Sequence, residues 1–220
     1  MIPQTPSQRS AALDFDRDVF SSGQVGSKLW LCEKLEAQWN LRGLSVRPAR
    51  IWIYGGWQGL LGFLLLSRAQ FPIEHIRSFD LDSRSTDRAN ALNENWVWRS
   101  WQFRAFTADV SDLQPSQDGE FGPTPHLILN TSVEHFPSQL NSQGEESASW
   151  WTNIPSGYAL ALQASDHEHQ PGTSHQQASG VASRDEFARR FPLRELWWEG
   201  EIEFTYDTWT LKRLMRLGRK

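Results

Sequence analysis

Two rhythms of hydrophobic and polar residues alternate along the chain. Short apolar runs at 50–54, 76–81, 101–108, 125–130 and 158–164 have the length and content of strands buried on both faces, and the segments 58–69 and 84–95 between them read as helices. Repeated strand–helix units predict an α/β fold, a parallel sheet with helices on both faces. The connection after 101–108 shows no clear helix, its 114–124 stretch reads as a loop, and a short helix is expected near 145–153. The end of the chain differs: after a helix at 183–190, the segments 193–204 and 209–217 flank 205–208 and predict an antiparallel hairpin that closes the sheet. At the front, Val25, Leu29, Cys32 and Leu35 trace an amphipathic helix leading into a connector at 40–48, while residues 1–22 are polar and patternless. The expected organisation is therefore a helical lid and connector over 1–49 and a ligand-binding domain over 50–220, with no internal repeat.

Size and composition narrow the classes. A chain of 220 residues holds one well-filled core with a small attachment. No stretch reaches the roughly 18 apolar residues of a membrane span, and the start lacks a charged flank followed by a hydrophobic signal core, so a cytoplasmic protein with no membrane partner is expected. The single cysteine, Cys32, forms no internal disulfide or thiolate metal cluster and is expected to pack. A formal charge of -4 offers no general attraction to phosphate backbones, and Lys212, Arg213, Arg216, Arg219 and Lys220 are interleaved with apolar strand positions, so nucleic acid is not an expected partner. Most of the 12 tryptophans are assigned to packing, with one or two available to wall a pocket for a cation. Exposed aromatic faces of the hairpin make a homodimer a candidate assembly.

The chemistry concentrates where the run Ile51-Trp52-Ile53-Tyr54 empties into Gly55-Gly56-Trp57-Gln58-Gly59 and a helix. Glycines at such a turn permit positive backbone angles and close approach of a ligand to the main chain. Asp80 falls about 25 residues after Gly55, near the distance at which a second parallel strand brings a carboxylate to a ribose. The turn is not G-x-G-x-x-G, and its crowded form suits a compact adenosyl ligand better than a pyrophosphate. An ordinary tight strand-to-helix turn is the plainer account of the same glycines.

In this arrangement the chain resembles the class I S-adenosylmethionine (SAM)-dependent methyltransferase superfamily. The resemblance implies a Rossmann-like, mainly parallel seven-stranded sheet with a C-terminal antiparallel hairpin. It also implies SAM as substrate or methyl donor, with Tyr54, Gly55, Gly56, Trp57 and Gly59 as the glycine-rich motif, Asp80 or Asp82 as the ribose acid with Asp80 preferred, and Asp109 as the adenine contact. Asn130, Thr131 and Ser132 resemble the fourth-strand motif beside the methionine moiety. More narrowly, Asn130-Thr131-Ser132-Val133-Glu134-His135, Trp151, Ile154-Pro155 and Leu162-Gln163-Ala164-Ser165 resemble a bacterial and phage subgroup similar to azetidine-2-carboxylate synthases.

That narrower resemblance implies a lyase-like reaction: cyclisation of SAM to azetidine-2-carboxylate with release of methylthioadenosine. The alternatives are a methyltransferase acting on a small-molecule acceptor and a noncatalytic SAM-binding protein. Asn130, Glu134 and His135 are the candidate catalytic residues, His135 because an imidazole titrates near neutrality; a polar residue after a strand is also often a helix cap. Asp82 and Asp109 have the same plain reading as caps. Lys28 and Trp30 are candidate lid residues, Lys28 toward the methionine carboxylate and Trp30 excluding water, against the simpler view of Lys28 on a solvated helix face. His167, His169 and His175, with Asp166 and Glu168, sit in a loop without rigid geometry, so no metal is expected.

Overall fold

The computed structural model describes residues 14–96, 102–136, 139–140, 146–147, 149–166, 180–205 and 210–220. In chain order the main elements are α1 (Ser22–Leu41), β1 (Ala49–Tyr54), α2 (Leu60–Arg68), β2 (Ile73–Asp80), α3 (Ser83–Leu92), β3 (Phe103–Thr107) and β4 (Leu127–Asn130). They continue with β5 (Gln139–Leu140), β6 (Glu146–Ser147), α4 (Ser149–Thr152), β7 (Ala159–Ser165), α5 (Arg184–Arg190), β8 (Glu195–Thr205) and β9 (Thr210–Arg219). A seven-stranded sheet runs in the order β3, β2, β1, β4, β7, β9, β8. Its first five members are parallel, and β9 runs antiparallel to both of its neighbours, β7 and β8. The expected Rossmann-like sheet and terminal hairpin are thus present. β5 and β6 pair in a separate ribbon of two residues each, too short for any hydrophobic rhythm to announce.

Side chains alternate across the sheet and build a core on each face. Ile51, Ile53, Ile76, Leu127, Leu129, Ala161, Met215 and Leu217 pack on one side with α1 and α2. Trp52, Tyr54, Phe79, Ile128, Leu160, Leu162 and Leu214 pack on the other with α4 and α5 through Trp150, Trp151 and Phe187. The first of these cores includes Leu31, Cys32, Leu35 and Trp39 of α1, so this helix lies in the packed body for much of its length. Burial pushes the Cys32 thiol up to about 12, in keeping with a packing role. α1 begins at Ser22 because the Ser21 hydroxyl accepts from the Gln24 N–H at 3.3 Å, a cap placed ahead of the first apolar position.

The β3–β4 connection carries only a short 3-10 turn, Val110–Asp112, and fastens itself by other means. Arg50 Nε donates to the Thr124 carbonyl (2.7 Å), Arg77 Nε to Phe121 (3.1 Å) and Tyr158 Oη to Pro115 (2.9 Å). Phe121 itself stacks edge-on against Trp52, Phe79 and Phe106, filling the space a helix would otherwise cover. On the outer strand β8, a register shift at Leu196/Trp198 lets both Trp197 and Trp198 pack on the α1 side, where Trp198 meets Trp30 with ring centroids 5.5 Å apart. Glu195, Glu199, Glu201 and Glu203 lie along the same strand.

Candidate functional site

The parallel strands deliver their last residues to one edge: Tyr54, Asp80, Asn130 and Ser165 end β1, β2, β4 and β7. β1 is followed in sequence by β2 on one side but is flanked by β4 on the other, so the direction of winding reverses between β1 and β4. Such a reversal leaves a crevice at the carboxyl ends of the strands, where open α/β sheets bind ligands.

The turn after β1 is shaped from inside the protein. Gly55 (φ 65°) and Gly59 (φ 83°) occupy left-handed backbone. A Cβ on Gly56 would lie 1.8 Å from Ser78 Oγ, and one on Gly55 would lie 2.7 Å from the Phe136 ring, so neighbouring residues already occupy the space those glycines leave. Packing alone therefore accounts for these glycines. Trp57 is different: it holds φ 46°, the one positive value at a non-glycine among the described residues. A bulky residue there costs about 1–3 kcal/mol of backbone strain.

Asp80 binds this turn to the second strand. Its carboxylate accepts from Trp57 N–H (2.9 Å) and Asp82 N–H (3.1 Å). Burial raises its pKa, partly opposed by those donors. Asp82 instead caps α3, accepting from Arg84 N–H and from the Ser85 N–H and hydroxyl, the last of which chiefly lowers its pKa. The two acids thus divide their work, and Asp80 is the one at the crevice. Asp109 is exposed and caps the 110–112 turn through Ser111 N–H (2.8 Å), while the adjacent Ala108 N–H donates to the Asp80 carbonyl (3.0 Å). That bond sets Asp109 beside the Asp80 end of the edge.

At the end of β4, Asn130 is fully buried. Its Oδ1 accepts from Ser132 N–H (3.0 Å), and its Nδ2 has no protein partner. The free end of this amide is therefore a donor. Tyr54 Oη, at the end of β1, is likewise buried and unpartnered, and burial pushes its pKa up. Thr131 is buried, Ser132 half-buried and His135 exposed in the 3-10 turn Val133–His135. Glu134 turns inward: Oε1 accepts from Ser165 Oγ (2.6 Å) and pairs with Arg213 (3.2 Å), while Oε2 is unpartnered.

The segment before α1 and its first turns lie at this same edge. Asp16 N–H donates to Gln58 Oε1 (3.1 Å), and Gln163 Nε2 donates to the Ser27 carbonyl (3.0 Å). Lys28 is buried, with Nζ donating to Gln24 Oε1 (2.5 Å), whereas Trp30, two positions on and about 200° round the helix, packs on β8. The structure thus brings Lys28 to the edge and places Trp30 against the hairpin.

Gln58, Gln163, Ser165 and Arg213 were not singled out as site residues from sequence. A basic residue interrupting the apolar run of β9 was the available signal for Arg213. The His167, His169 and His175 positions lie outside the described residues, and among the described residues no group of three or more His, Cys, Asp or Glu is arranged to hold a metal. A cleft of about 490 Å³, lined by Trp39, Arg47, His126 and Tyr158, opens at the opposite, amino-terminal end of the strands and is separate from this crevice.

No protein-family model matches the sequence. No curated protein matches it either. Solved structures do. Magnesium protoporphyrin IX methyltransferase (ChlM) from Synechocystis PCC 6803 with bound SAM is 13% identical with a TM-score of 0.53, over 98% of this chain and 92% of that one. The N-methyltransferase NodS from Bradyrhizobium japonicum WM9 is 10% identical with a TM-score of 0.54, over 86% of this chain and 97% of that one. Cofactor-bound Rv0187 from MTB is 14% identical with a TM-score of 0.55, over 100% of this chain and 93% of that one. The chain has the fold of the class I SAM-dependent methyltransferases.

Proposed function

We propose that this protein is a SAM-dependent methyltransferase acting on a small-molecule acceptor. The observation that carries the reading is Asp80: a half-buried carboxylate at the end of β2, tied by Trp57 N–H to the strained turn at the point where the strand order reverses. Similarity in fold to two proteins named methyltransferases supports methyl transfer to an external acceptor over self-cyclisation to azetidine-2-carboxylate. The residues at the edge fit a nucleoside bearing a charged arm, because they offer an acidic acceptor at one end and orphaned buried donors at the other.

When bound, SAM supplies an activated methyl group. The chain's tasks are then alignment and exclusion of water. Asp80 accepts from the ribose hydroxyls, Asp109 from the adenine amine, and Tyr54 through Gly59 form the wall between them. The Asn130 amide donates toward the reacting end, steadied by Ser132 N–H on its other side, with Thr131 and Ser132 setting the backbone there. Glu134, held by Arg213 and Ser165, keeps a second carboxylate oxygen available to order an acceptor N–H or O–H. His135, exposed at the rim, takes the acceptor's proton to solvent. Of the expected 1–49 cover, the described part from residue 14 onward closes one side of the ligand edge, a reading supported by the Asp16–Gln58 and Ser27–Gln163 bonds. No metal enters the scheme.

Incubating the purified protein with SAM alone, and then with pools of small amine, hydroxyl and carboxylate acceptors, tests this by mass spectrometry. S-Adenosylhomocysteine formed only in the presence of an acceptor is the expected result. Methylthioadenosine and azetidine-2-carboxylate from SAM alone would replace it with cyclisation, and binding without turnover would leave a noncatalytic SAM-binding protein.

A further inference from the structure

A pair of buried cations at the ligand edge is left over from the scheme above. Lys28 and Arg213 are 7% exposed each. Gln163 and Ser165 point to the same face of β7, opposite Met215 and Arg213 of β9, and the Ser27 carbonyl is bound to Gln163. This seats the second turn of α1 beside the Arg213 guanidinium. Among the described residues Lys28 has no carboxylate within ion-pair distance, and its partner is the neutral amide of Gln24. Arg213 spends Nη1 on Glu134 (3.2 Å) and the Thr131 carbonyl (3.4 Å) and leaves a buried Nε with no partner.

The balance of charge and hydrogen bonding is uneven. Lys28, Arg213 and Glu134 form a buried group of two basic side chains and one acid. Orphaned buried donors on Asn130 and Arg213 stand against one orphaned acceptor on Glu134, with the Tyr54 hydroxyl able to serve either way. A buried basic group without a close counter-charge is costly to ionise, and a ligand carboxylate would supply the missing charge. Burial, reinforced by Arg213, pushes the Lys28 ammonium down to about 7, with Asp18 and Cys32 opposing the shift.

We infer that Lys28 and Arg213 form a subsite for a carboxylate, bound at the C-terminal edge between α1 and β9. Two sources share this chemistry: the methionine end of the SAM-type ligand, or an acidic methyl acceptor seated beside it. The first source rests on the SAM reading above; the second requires only the cation pair.

The test is binding rather than turnover. Dissociation constants for S-adenosylhomocysteine and for methylthioadenosine, which lacks the amino-acid arm, are measured by calorimetry on the wild type and on Lys28→Met and Lys28→Gln. Succinate is titrated onto both the free protein and the methylthioadenosine complex. If the carboxylate is the cofactor's, loss of Lys28 weakens S-adenosylhomocysteine by about ten- to a hundredfold and leaves methylthioadenosine unchanged. If it is the acceptor's, succinate binds the wild type, and binding is lost in both variants while S-adenosylhomocysteine is unaffected. Unchanged affinities for both probes in folded variants, or no succinate binding together with an unchanged S-adenosylhomocysteine constant, overturn the inference. Failure of the wild type to bind either nucleoside would defeat the SAM reading instead, and the succinate titration on the free protein would still decide the subsite. Thermal unfolding confirms that the variants fold, which is expected because each removes a buried charge without stranding a counter-charge.

Discussion

Replacing Arg213 by Met gives the sharpest energetic test of the edge. The Glu134 and Arg213 side chains are 1% and 8% exposed, and Nη1 lies 3.2 Å from Oε1. In Arg213→Met the carboxylate keeps only the Ser165 hydroxyl, at 2.6 Å, and the Thr131 carbonyl loses a donor. Stranding one member of a buried ion pair costs about 3–5 kcal/mol. For a chain of this size each kcal/mol moves Tm by about 2–4 °C, so Tm falls by about 10 °C. Glu134→Leu/Arg213→Met removes both charges and leaves Ser165 Oγ unpaired at a cost of about 1 kcal/mol. The double variant is therefore expected to recover most of the stability, with a coupling energy of about 3 kcal/mol from urea unfolding followed by far-ultraviolet circular dichroism. A double variant as unstable as the sum of the two single ones would refute the reasoning, because the pair would then carry no mutual dependence.

Three further outcomes are expected. Gly56→Ala drives a methyl to 1.8 Å from Ser78 Oγ and should destabilise by about 1–3 kcal/mol, and Ser78→Ala in the same chain, which leaves the nearest contact at 3.2 Å, should restore most of it; a loss independent of Ser78 would count against this contact. Asp80→Asn keeps the side chain's shape but removes its charge, so affinity for methylthioadenosine should fall about tenfold or more in calorimetry, and an unchanged constant would take Asp80 out of ribose binding. His75 is held neutral by burial first and then by Arg77, Arg50 and His126, its pKa lowered from 6.5 to about 4. Because the unfolded chain takes up the proton first, stability should fall as pH drops from about 6.5 toward 4, and His75→Phe should flatten that slope in urea titrations across the window.

The sheet and its reversed hairpin were legible because fully buried strands leave continuous apolar runs and helices leave a longer period. Asp80 was preferred to Asp82 from its place after the glycine turn, and the structure adds different partners for the two acids, because the cap from Asp82 to Ser85 is a local hydrogen bond that spacing does not encode. The extent to which α1 is packed was not legible, because polar residues interrupt its apolar stripe. Leu31, Leu35 and Trp39 bury one stripe, and Lys28 is buried by neighbours that arrive from β9, far along the chain. Glu134 and Arg213 are 79 residues apart, a pairing that no local pattern announces. The glycines taught the converse lesson: Gly55 and Gly56 are needed by Phe136 and Ser78 before any ligand arrives.

The row of glutamates on β8 reaches beyond the single molecule. β8 is the last strand of the sheet and offers one unpaired backbone edge, the kind of template on which chains add to one another without limit. Its four carboxylates are ion-paired within the chain, Glu195 with Arg219, Glu199 with Arg216, Glu201 with Arg184 and Glu203 with Lys212, so the rim is blunted by hydrated charged side chains and by the mismatched ladder at Leu196/Trp198 rather than by repulsion of like charges. Crowded solutions of this protein should therefore resist fibre-like growth through that strand.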